Sequence, residues 1–151
     1  METYFHVGIV VPDLGRAQEY YADLLGLEWG PVLATDVEVR LGDGDEHVFP
    51  NQIVYSAGPP YIELIQETPG SPWVCNEHSN LHHIGFFAEA FEPEADRLVA
   101  ASCPLEMYGG HGDGPPAGFT YHRDPWGVRL ELVDAAIRPM MEEVVFRTPG
   151  G

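Results

Sequence analysis

The segment LHHIGFF at residues 81–87 repeats the pattern of YFHVGIV at residues 4–10. At an offset of 77 residues, His83 matches His6, Gly85 matches Gly8, and apolar residues match apolar residues. Each segment has the composition of a β-strand, and in each case a helix-like pattern of apolar residues follows. The chain is therefore predicted to contain two copies of one structural unit.

The first unit is predicted to span residues 1–67. A strand over residues 4–11 leads into a helix, with Asp13 as its N-cap and Gly26 as its stop. The turn-forming stretches GDGDE and AGPP then separate shorter strand candidates. These candidates lie around residues 36–41, 52–56 and 61–66.

The second unit, residues 81–134, follows the same order. Its first strand begins at Leu81, a helix lies near residues 91–102, and the strand VRLELVD follows a DPWG turn. A further strand is predicted at residues 119–122. The Pro-, Ser- and Asn-rich residues 68–80 read as a linker. The sequence thus predicts an α+β fold of two tandem βαβββ modules in one domain, residues 1–134.

Two segments fall outside this repeat. The stretch GGHGDGPPAG at residues 109–118 is interpreted as a mobile lid or as a plain surface loop. The C-terminal extension, residues 135–151, has apolar residues that suit either a subunit interface or packing against its own domain.

The charge of the chain restricts its partners. It carries 24 acidic residues against seven basic ones, all arginine, for a net charge of −17. Such a surface repels phosphate backbones, so nucleic-acid binding is not expected. The acidity suits a solvated surface, with a cationic partner or a halophilic source as alternatives.

No apolar stretch long enough to span a membrane occurs, and Cys75 and Cys103 form no CxxC, so a soluble, cytoplasmic protein with reduced thiols is predicted.

One histidine and one glutamate interrupt the apolar strands of each half. Alternation along a strand puts Glu63 of YIELIQ and Glu131 of RLELV opposite their apolar neighbours, and it puts His6 and His83 on similar faces. If these four groups meet in a partly dry cavity, a divalent cation would compensate the carboxylates. Mixed N/O ligation suits Zn, Ni, Co, Mn or Fe(II) alike. The alternative is that the glutamates face solvent and the histidines are core residues.

The chain resembles the vicinal oxygen chelate superfamily, also called the glyoxalase/bleomycin-resistance/extradiol-dioxygenase superfamily. The resemblance rests on the motifs FHVGIVVPDLGRAQEYYADLLG, YIELIQ, LHHIGFF and DPWGVRLELVD, and it reaches about Asp134. It implies a cupped mixed β-sheet with helices on the outside and one divalent metal ion per chain. The metal-ligand positions of the family fall on His6, Glu63, His83 and Glu131. His82 falls outside that set and is expected on the opposite strand face.

Within the superfamily the chain is similar to the glyoxalase I-like and methylmalonyl-CoA epimerase-like branch. That similarity implies a lyase, isomerase or epimerase that moves a proton next to a carbonyl through a metal-bound enediolate. Glu131 is the first candidate for the catalytic base and Glu63 the second. A homodimer is expected on the resemblance alone.

The chain departs from these relatives in two respects. The epimerases carry an acidic residue in the strand before the YIELIQ-like one, where NQIVYS offers only Gln52 and Tyr55. No cationic clamp for glutathione is recognisable. Aromatic residues instead predict a hydrophobic or aromatic small-molecule substrate, although such residues are more often core. The candidate substrate-binding residues are Tyr55, Phe87, Tyr121 and Trp126.

Two other functions fit the same resemblance. One is a binding or resistance protein that sequesters a small hydrophobic compound, but such relatives commonly lack the full ligand set. The other is an extradiol-type Fe(II) dioxygenase with two histidines and one carboxylate as ligands. The fourth ligand here would occupy the position that dioxygen needs, so this function ranks third.

Overall fold

The computed structural model describes residues 4–146 and folds them as two βαβββ modules. The first module consists of β1 (Tyr4–Val11), α1 (Leu14–Leu25), β2 (Leu33–Leu41), β3 (Glu46–Tyr55) and β4 (Tyr61–Gln66). The second consists of β5 (Leu81–Ala88), α2 (Phe91–Ala100), β6 (Leu105–Gly109), β7 (Phe119–Arg123) and β8 (Arg129–Asp134). Three short helical turns follow, at Ala135–Ile137, Arg138–Met140 and Met141–Val145.

The ends of α1 follow directly from the sequence. The Asp13 carboxylate accepts a hydrogen bond from the Arg16 N–H at 3.0 Å, which satisfies one of the free donors of the first turn. Gly26 adopts φ 69°, the left-handed conformation in which glycine ends helices at little steric cost. Both predicted caps are confirmed. Within residues 4–146, no helix is long and apolar enough to cross a membrane.

The eight strands close into a barrel in the order β1-β4-β3-β2-β6-β7-β8-β5. The modules meet on one side where β1 pairs antiparallel with β5, and on the other where β2 pairs antiparallel with β6. The β1–β4 and β5–β8 pairs are parallel, so the sheet is mixed as predicted. Closure leaves the sheet without a long free edge.

The helices lie outside the barrel. Leu64 on β4 belongs to an apolar cluster with Leu14 of α1, and Leu132 on β8 belongs to a cluster with Leu98 of α2. Because side chains alternate along a strand, the glutamates next to Leu64 and Leu132 face the interior. The predicted α+β class with external helices is confirmed.

The strand bounds differ from prediction mainly in length. β2 begins at Leu33 and β3 at Glu46, so their hairpin is longer than the apolar patterns suggested. No bounds were predicted for β6, whose five residues are held by pairing with β2 and β7. Pairing with neighbouring strands thus extends β-strands beyond the residues whose sequence alone predicts a strand.

Residues 135–146 form what we call the C-terminal segment, which packs against one end of the barrel. Met141 and Val145 are buried, and the Phe146 ring stacks on Tyr61 with centroids 4.0 Å apart. The described residues of the extension pack against their own domain, which was one of the two predicted roles. The remaining residues, 147–151, lie outside the described part of the chain.

Candidate metal centre

The site begins with the register between β1 and β5, the first strands of the two modules. In this antiparallel pair His6 faces Gly85, and Gly8 faces His83. A Cβ atom on Gly8 would overlap the imidazole of His83, and one on Gly85 would overlap the imidazole of His6. Each module therefore supplies the glycine that admits the histidine of the other.

The glutamates enter from the strands on either side of this pair. Glu63 on β4 lies beside Gly8, and Glu131 on β8 lies beside Gly85, in the two parallel pairings. The two-fold arrangement of the modules thus brings one glutamate toward the centre from each side. The sequence repeat and the alternation along the strands together account for this placement.

The four side chains converge on one point. The Nε2 atoms of His6 and His83 are 2.8 Å apart. The Nε2 atom of His83 lies 3.0 Å from a carboxylate oxygen of Glu131 and 3.4 Å from one of Glu63. The Nε2 atom of His6 lies 3.9 and 4.0 Å from the same two oxygens. All four side chains are buried.

The charges in this cluster compensate one another only in part. Burial lowers the pKa of His83, but the nearby Glu131 and Glu63 carboxylates outweigh it and raise that pKa to about 9. Burial also lowers the pKa of His6, and there it prevails. Burial alone would raise the pKa of Glu63, but hydrogen bonding to His83 and the nearby imidazoles lower it. These directions favour an imidazolium at His83, a neutral imidazole at His6 and an ionised carboxylate at Glu63.

The donor set fits a divalent metal ion. Ligand atoms of His6, Glu63 and His83 lie within 4.8 Å of one another, and the Glu131 carboxylate borders the same point. Two imidazole nitrogens and two carboxylates form a mixed N/O set that suits first-row divalent metals. A dication in place of the imidazolium proton would balance the two negative charges. These residues would hold such an ion.

A cavity of about 260 Å³ opens above the cluster, and both glutamates lie in its wall. Most of the wall is aliphatic or aromatic, and the C-terminal segment covers part of it through Ile137, Met140, Met141 and Val145. Polar side chains in the wall besides the glutamates include Thr35 and Asn51. The cavity therefore offers an apolar environment with a small number of polar groups next to the cluster.

Two of the four predicted substrate-binding residues line this cavity. The Tyr55 hydroxyl is hydrogen-bonded to Glu63, and the Tyr121 hydroxyl accepts a hydrogen bond from Trp73 Nε1 at 3.1 Å. Burial and the neighbouring carboxylates raise the pKa of both phenols, so they stay protonated. They add two phenol hydroxyls to the few polar groups of a mostly apolar wall.

The other two substrate-binding candidates lie away from this cavity. Phe87 is buried, but its ring stacks on Phe5 with centroids 3.8 Å apart and is absent from the cavity wall. Trp126 is 90% exposed. The Asp124 carboxylate accepts hydrogen bonds from the N–H groups of Trp126 and Val128, which closes the DPWG turn and leaves the indole in solvent.

Sequence reasoning also missed residues that the fold brings to the cavity. Asn51 lies in the wall, whereas its neighbour Gln52 is exposed. Met141 reaches the wall from outside the repeat. The only sequence signal for Asn51 was a polar residue two places from Ile53 in a β-strand. Met141 gave no such signal.

His82 lies outside the cavity wall, on the far side of His83. Its Nε2 atom is 2.9 Å from the Pro72 carbonyl oxygen, and its Nδ1 atom is 2.9 Å from His83 Nδ1. Burial and the nearby Arg129 guanidinium lower the pKa of His82 to about 3, so the ring is neutral.

The polar stretch at residues 109–118 is attached to the barrel by Arg40. The guanidinium donates to the carbonyl oxygens of Gly112 and Gly114 at 2.6 Å each, and Gly118 lies in the cavity wall. These contacts favour the surface-loop interpretation over a mobile lid.

A protein-family profile matches most of the chain. The profile of the family described as Glyoxalase/Bleomycin resistance protein/Dioxygenase superfamily matches residues 5–119. No curated protein matches the chain.

Several solved structures have a similar fold. A methylmalonyl-CoA epimerase in complex with methylmalonyl-CoA and NH4+ has a TM-score of 0.61 at 21% identity, over 89% of this chain and 95% of that one. A variant of the Streptomyces coelicolor methylmalonyl-CoA epimerase, in complex with 2-nitronate-propionyl-CoA, gives 0.62 at 20% identity, over 89% and 94%. The Mycobacterium tuberculosis methylmalonyl-CoA epimerase gives 0.56 at 19% identity, over 87% and 86%. At these identities the likeness establishes the fold.

Proposed function

This chain belongs to the Glyoxalase/Bleomycin resistance protein/Dioxygenase superfamily, and from that premise we propose that it is a divalent-metal-dependent isomerase, epimerase or lyase. In this proposal it transfers a proton at a carbon next to a carbonyl group. The observation that carries the proposal is the convergence of two histidines and two glutamates, one of each from either module, beneath an apolar cavity.

His6, Glu63, His83 and Glu131 would hold the metal. A bound divalent ion would polarise the substrate oxygens and stabilise the negative charge that develops when a neighbouring C–H loses its proton. The choice among Zn, Ni, Co, Mn and Fe(II) stays open, because this ligand set suits all of them.

Glu131 is the preferred proton acceptor. Both glutamates lie in the cavity wall, within reach of a small substrate. The Glu63 carboxylate also accepts a hydrogen bond from Tyr55, which stabilises its charged form and makes it the weaker base. In the proposed cycle a Glu131 oxygen takes the proton from carbon and returns it to the same carbon or to its neighbour.

The substrate is proposed to be a small, uncharged and largely apolar carbonyl compound. The cavity volume of about 260 Å³ and its aliphatic and aromatic wall support this choice. Among residues 4–146, the arginines Arg123 and Arg129 are bound to Glu106, and Arg40 is bound to loop carbonyls. None of these three arginines lines the cavity. A CoA ester, the ligand of the similar epimerases, fits this acidic chain less well.

Metal content tests the proposal first. Protein purified without a histidine tag would be analysed for metals, beside His83→Ala, Glu131→Gln and the control His78→Ala, whose side chain is exposed on the linker. About one ion per chain in wild type and in the control, and its loss in the His83→Ala variant, is expected. Proton exchange of candidate ketones in D2O should then be abolished by Glu131→Gln. Wild-type protein that takes up no metal from Ni, Co, Zn, Mn or Fe(II) would exclude the mechanism.

A binding protein that sequesters a hydrophobic compound is the second candidate function. The apolar cavity beneath the C-terminal segment is the observation that favours it. A folded variant with all four proposed ligands replaced distinguishes the two functions. Undiminished affinity of that variant for an apolar ligand, together with no proton exchange in wild type, would favour sequestration.

A homodimer is also proposed, on the family resemblance alone. Light scattering coupled to size-exclusion chromatography tests it, and a monomeric mass at micromolar concentration would contradict it.

A further inference from the structure

We propose that His82 is a positioning residue for His83: it fixes the orientation of the His83 ring and directs its Nε2 atom toward the other three proposed ligands. The proposal concerns how one of the four proposed ligands is held, so it rests on the proposed function. It gives a role to the first histidine of the LHHIGFF segment, which is outside the ligand set.

The geometry is a chain of two short hydrogen bonds. The Nδ1 atoms of His82 and His83 are 2.9 Å apart, and the Nε2 atom of His82 is 2.9 Å from the Pro72 carbonyl oxygen. Both rings are buried. Their planes are nearly perpendicular, at 85°, with centroids 5.2 Å apart. The two bonds thus use both ring nitrogens of His82.

The direction of each bond follows from donor and acceptor chemistry. A carbonyl oxygen only accepts, so the hydrogen of the first bond belongs to His82 Nε2. Only one hydrogen can lie between the two Nδ1 atoms, and because His82 already donates from Nε2, we assign that hydrogen to His83, whose Nδ1–H donates to Nδ1 of His82. With that hydrogen placed, Nε2 of His83 is the nitrogen that faces His6 and the two carboxylates. A metal-ligating imidazole is commonly held through its second nitrogen in this way.

The linker holds the Pro72 end of this pair of hydrogen bonds in place. The Ser71 hydroxyl donates to the Thr68 carbonyl at 2.7 Å and accepts the N–H of Trp73 at 3.0 Å. The Thr68 N–H donates to the Trp73 carbonyl at 2.8 Å. These bonds hold residues 68–73 in a tight turn that presents the Pro72 carbonyl to His82. The linker between the modules thereby supports a residue of the second module.

The first module provides an internal comparison. The repeat places Phe5 at the position that corresponds to His82, and Phe5 stacks on Phe87 instead of bonding to His6. In the described part of the chain, the buried Nδ1 atom of His6 has no hydrogen-bond partner. The two histidines therefore differ at Nδ1: that atom of His6 makes no hydrogen bond, whereas that atom of His83 is held by the hydrogen-bond chain through His82.

Two substitutions at His82 separate its hydrogen bonding from its bulk. His82→Phe introduces the ring that the first module uses and removes the acceptor for His83. His82→Asn keeps an oxygen acceptor near the position of Nδ1. His122→Asn is the control, because His122 is also buried and bonds to Cys103 and Thr120, none of which lines the cavity.

The first measurement is the affinity for Co(II), by competition with a chelating dye, together with the visible spectrum of the Co(II) protein. His82→Phe is expected to weaken binding by about 10–100-fold and to alter the spectrum. His82→Asn should recover most of the affinity, and His122→Asn should bind Co(II) as wild type does. Wild-type affinity in a folded His82→Phe protein would overturn the proposal, as would an equal loss in His122→Asn.

The second measurement needs no metal, so it separates this inference from the proposed function. In metal-free protein labelled with ¹⁵N-histidine, the His83 Nδ1–H is expected as a slowly exchanging signal in wild type, and that protection should disappear in His82→Phe. A His83 ring with no hydrogen on Nδ1, or one whose protection is unchanged in His82→Phe, would overturn the positioning role. Failure of wild type to bind metal, with the protected signal present, would instead count against the proposed enzyme alone.

Discussion

The imidazole of His83 on β5 occupies the space that a Cβ atom on Gly8 of β1 would take. The same relationship holds between His6 and Gly85. Because the two strands belong to different modules, neither module can form the histidine pair of the candidate metal centre alone. His83 is thus matched to Gly8, and His6 to Gly85, across the pairing of β1 with β5.

Gly8→Ala is expected to lower the free energy of unfolding by about 1–3 kcal/mol, because overpacking a buried site forces its neighbours to shift. The group that must shift is the His83 ring, so Co(II) affinity should fall as well. Denaturant unfolding and Co(II) titration measure the two effects. Gly15→Ala in α1 is the control: its Cβ would meet only Asp13 at an ordinary 3.7 Å, and alanine should stabilise the helix by about 0.5–1 kcal/mol.

The same pair allows a double-mutant cycle. In a His83→Ala background the space beside residue 8 is free, so adding Gly8→Ala should cost little or nothing. An unchanged cost in that background would mean that the overlap with His83 is not the cause.

Divalent metal is expected to stabilise the fold. An ion supplied at 100 times its Kd should add about 2.7 kcal/mol to the free energy of unfolding, because only the folded chain assembles all four donors. Differential scanning fluorimetry with and without a chelator measures the shift in Tm. The shift should disappear in His83→Ala and persist in His78→Ala. A shift of equal size in His83→Ala would place the stabilising ion elsewhere.

The repeat made much of this fold predictable. The matched segments around His6 and His83 gave the two modules, and strand alternation turned Glu63 and Glu131 inward. The family resemblance, confirmed by the match over residues 5–119, pointed to the same four positions as candidate ligands. Periodicity and repetition are local signals, so a single sequence carries them in full.

The features that escaped prediction depend on contacts between distant residues. Alternation along β5 places the side chains of His83 and Phe87 on the same face. Phe87 nevertheless stacks on Phe5 and is absent from the cavity wall. His82 bonds to the carbonyl oxygen of Pro72 in the linker, and the composition of the linker predicted no such contact. Met141 reaches the cavity only because the C-terminal segment folds over the end of the barrel. Alternation in the sequence shows which strand face a side chain lies on, but it does not show which distant side chains pack against that face.

Acid is expected to weaken the fold through Glu106, which binds Arg129 and Arg123. Burial alone would raise the pKa of Glu106, but its hydrogen bonds to Arg129 and Arg123 outweigh burial and lower it. A carboxyl whose folded pKa is depressed stabilises the protein above its unfolded pKa, and this contribution is lost as the pH falls through the folded value. Glu106→Gln should therefore cost about 1 kcal/mol at pH 7 and progressively less toward pH 3.

Urea unfolding at a series of pH values measures this difference. Glu77→Gln is the control, because that side chain is exposed on the linker, and it should leave the pH profile close to that of wild type. A constant difference between Glu106→Gln and wild type from pH 7 to pH 3 would assign the loss to packing.

We expect a ligand in the cavity to change the fluorescence of Trp73, which lies in the cavity wall, and not that of the exposed Trp126. An uncharged aromatic ketone should quench tryptophan emission in wild type and in Trp126→Phe, and should lose most of this effect in Trp73→Phe. Met141→Ala removes part of the wall, so it should change the Kd for the ketone and lower the free energy of unfolding by about 2 kcal/mol. Fluorescence titration of the four proteins measures these effects. Quenching that disappears in Trp126→Phe instead would place the aromatic ligand at the DPWG turn and would exclude the apolar cavity as its binding site.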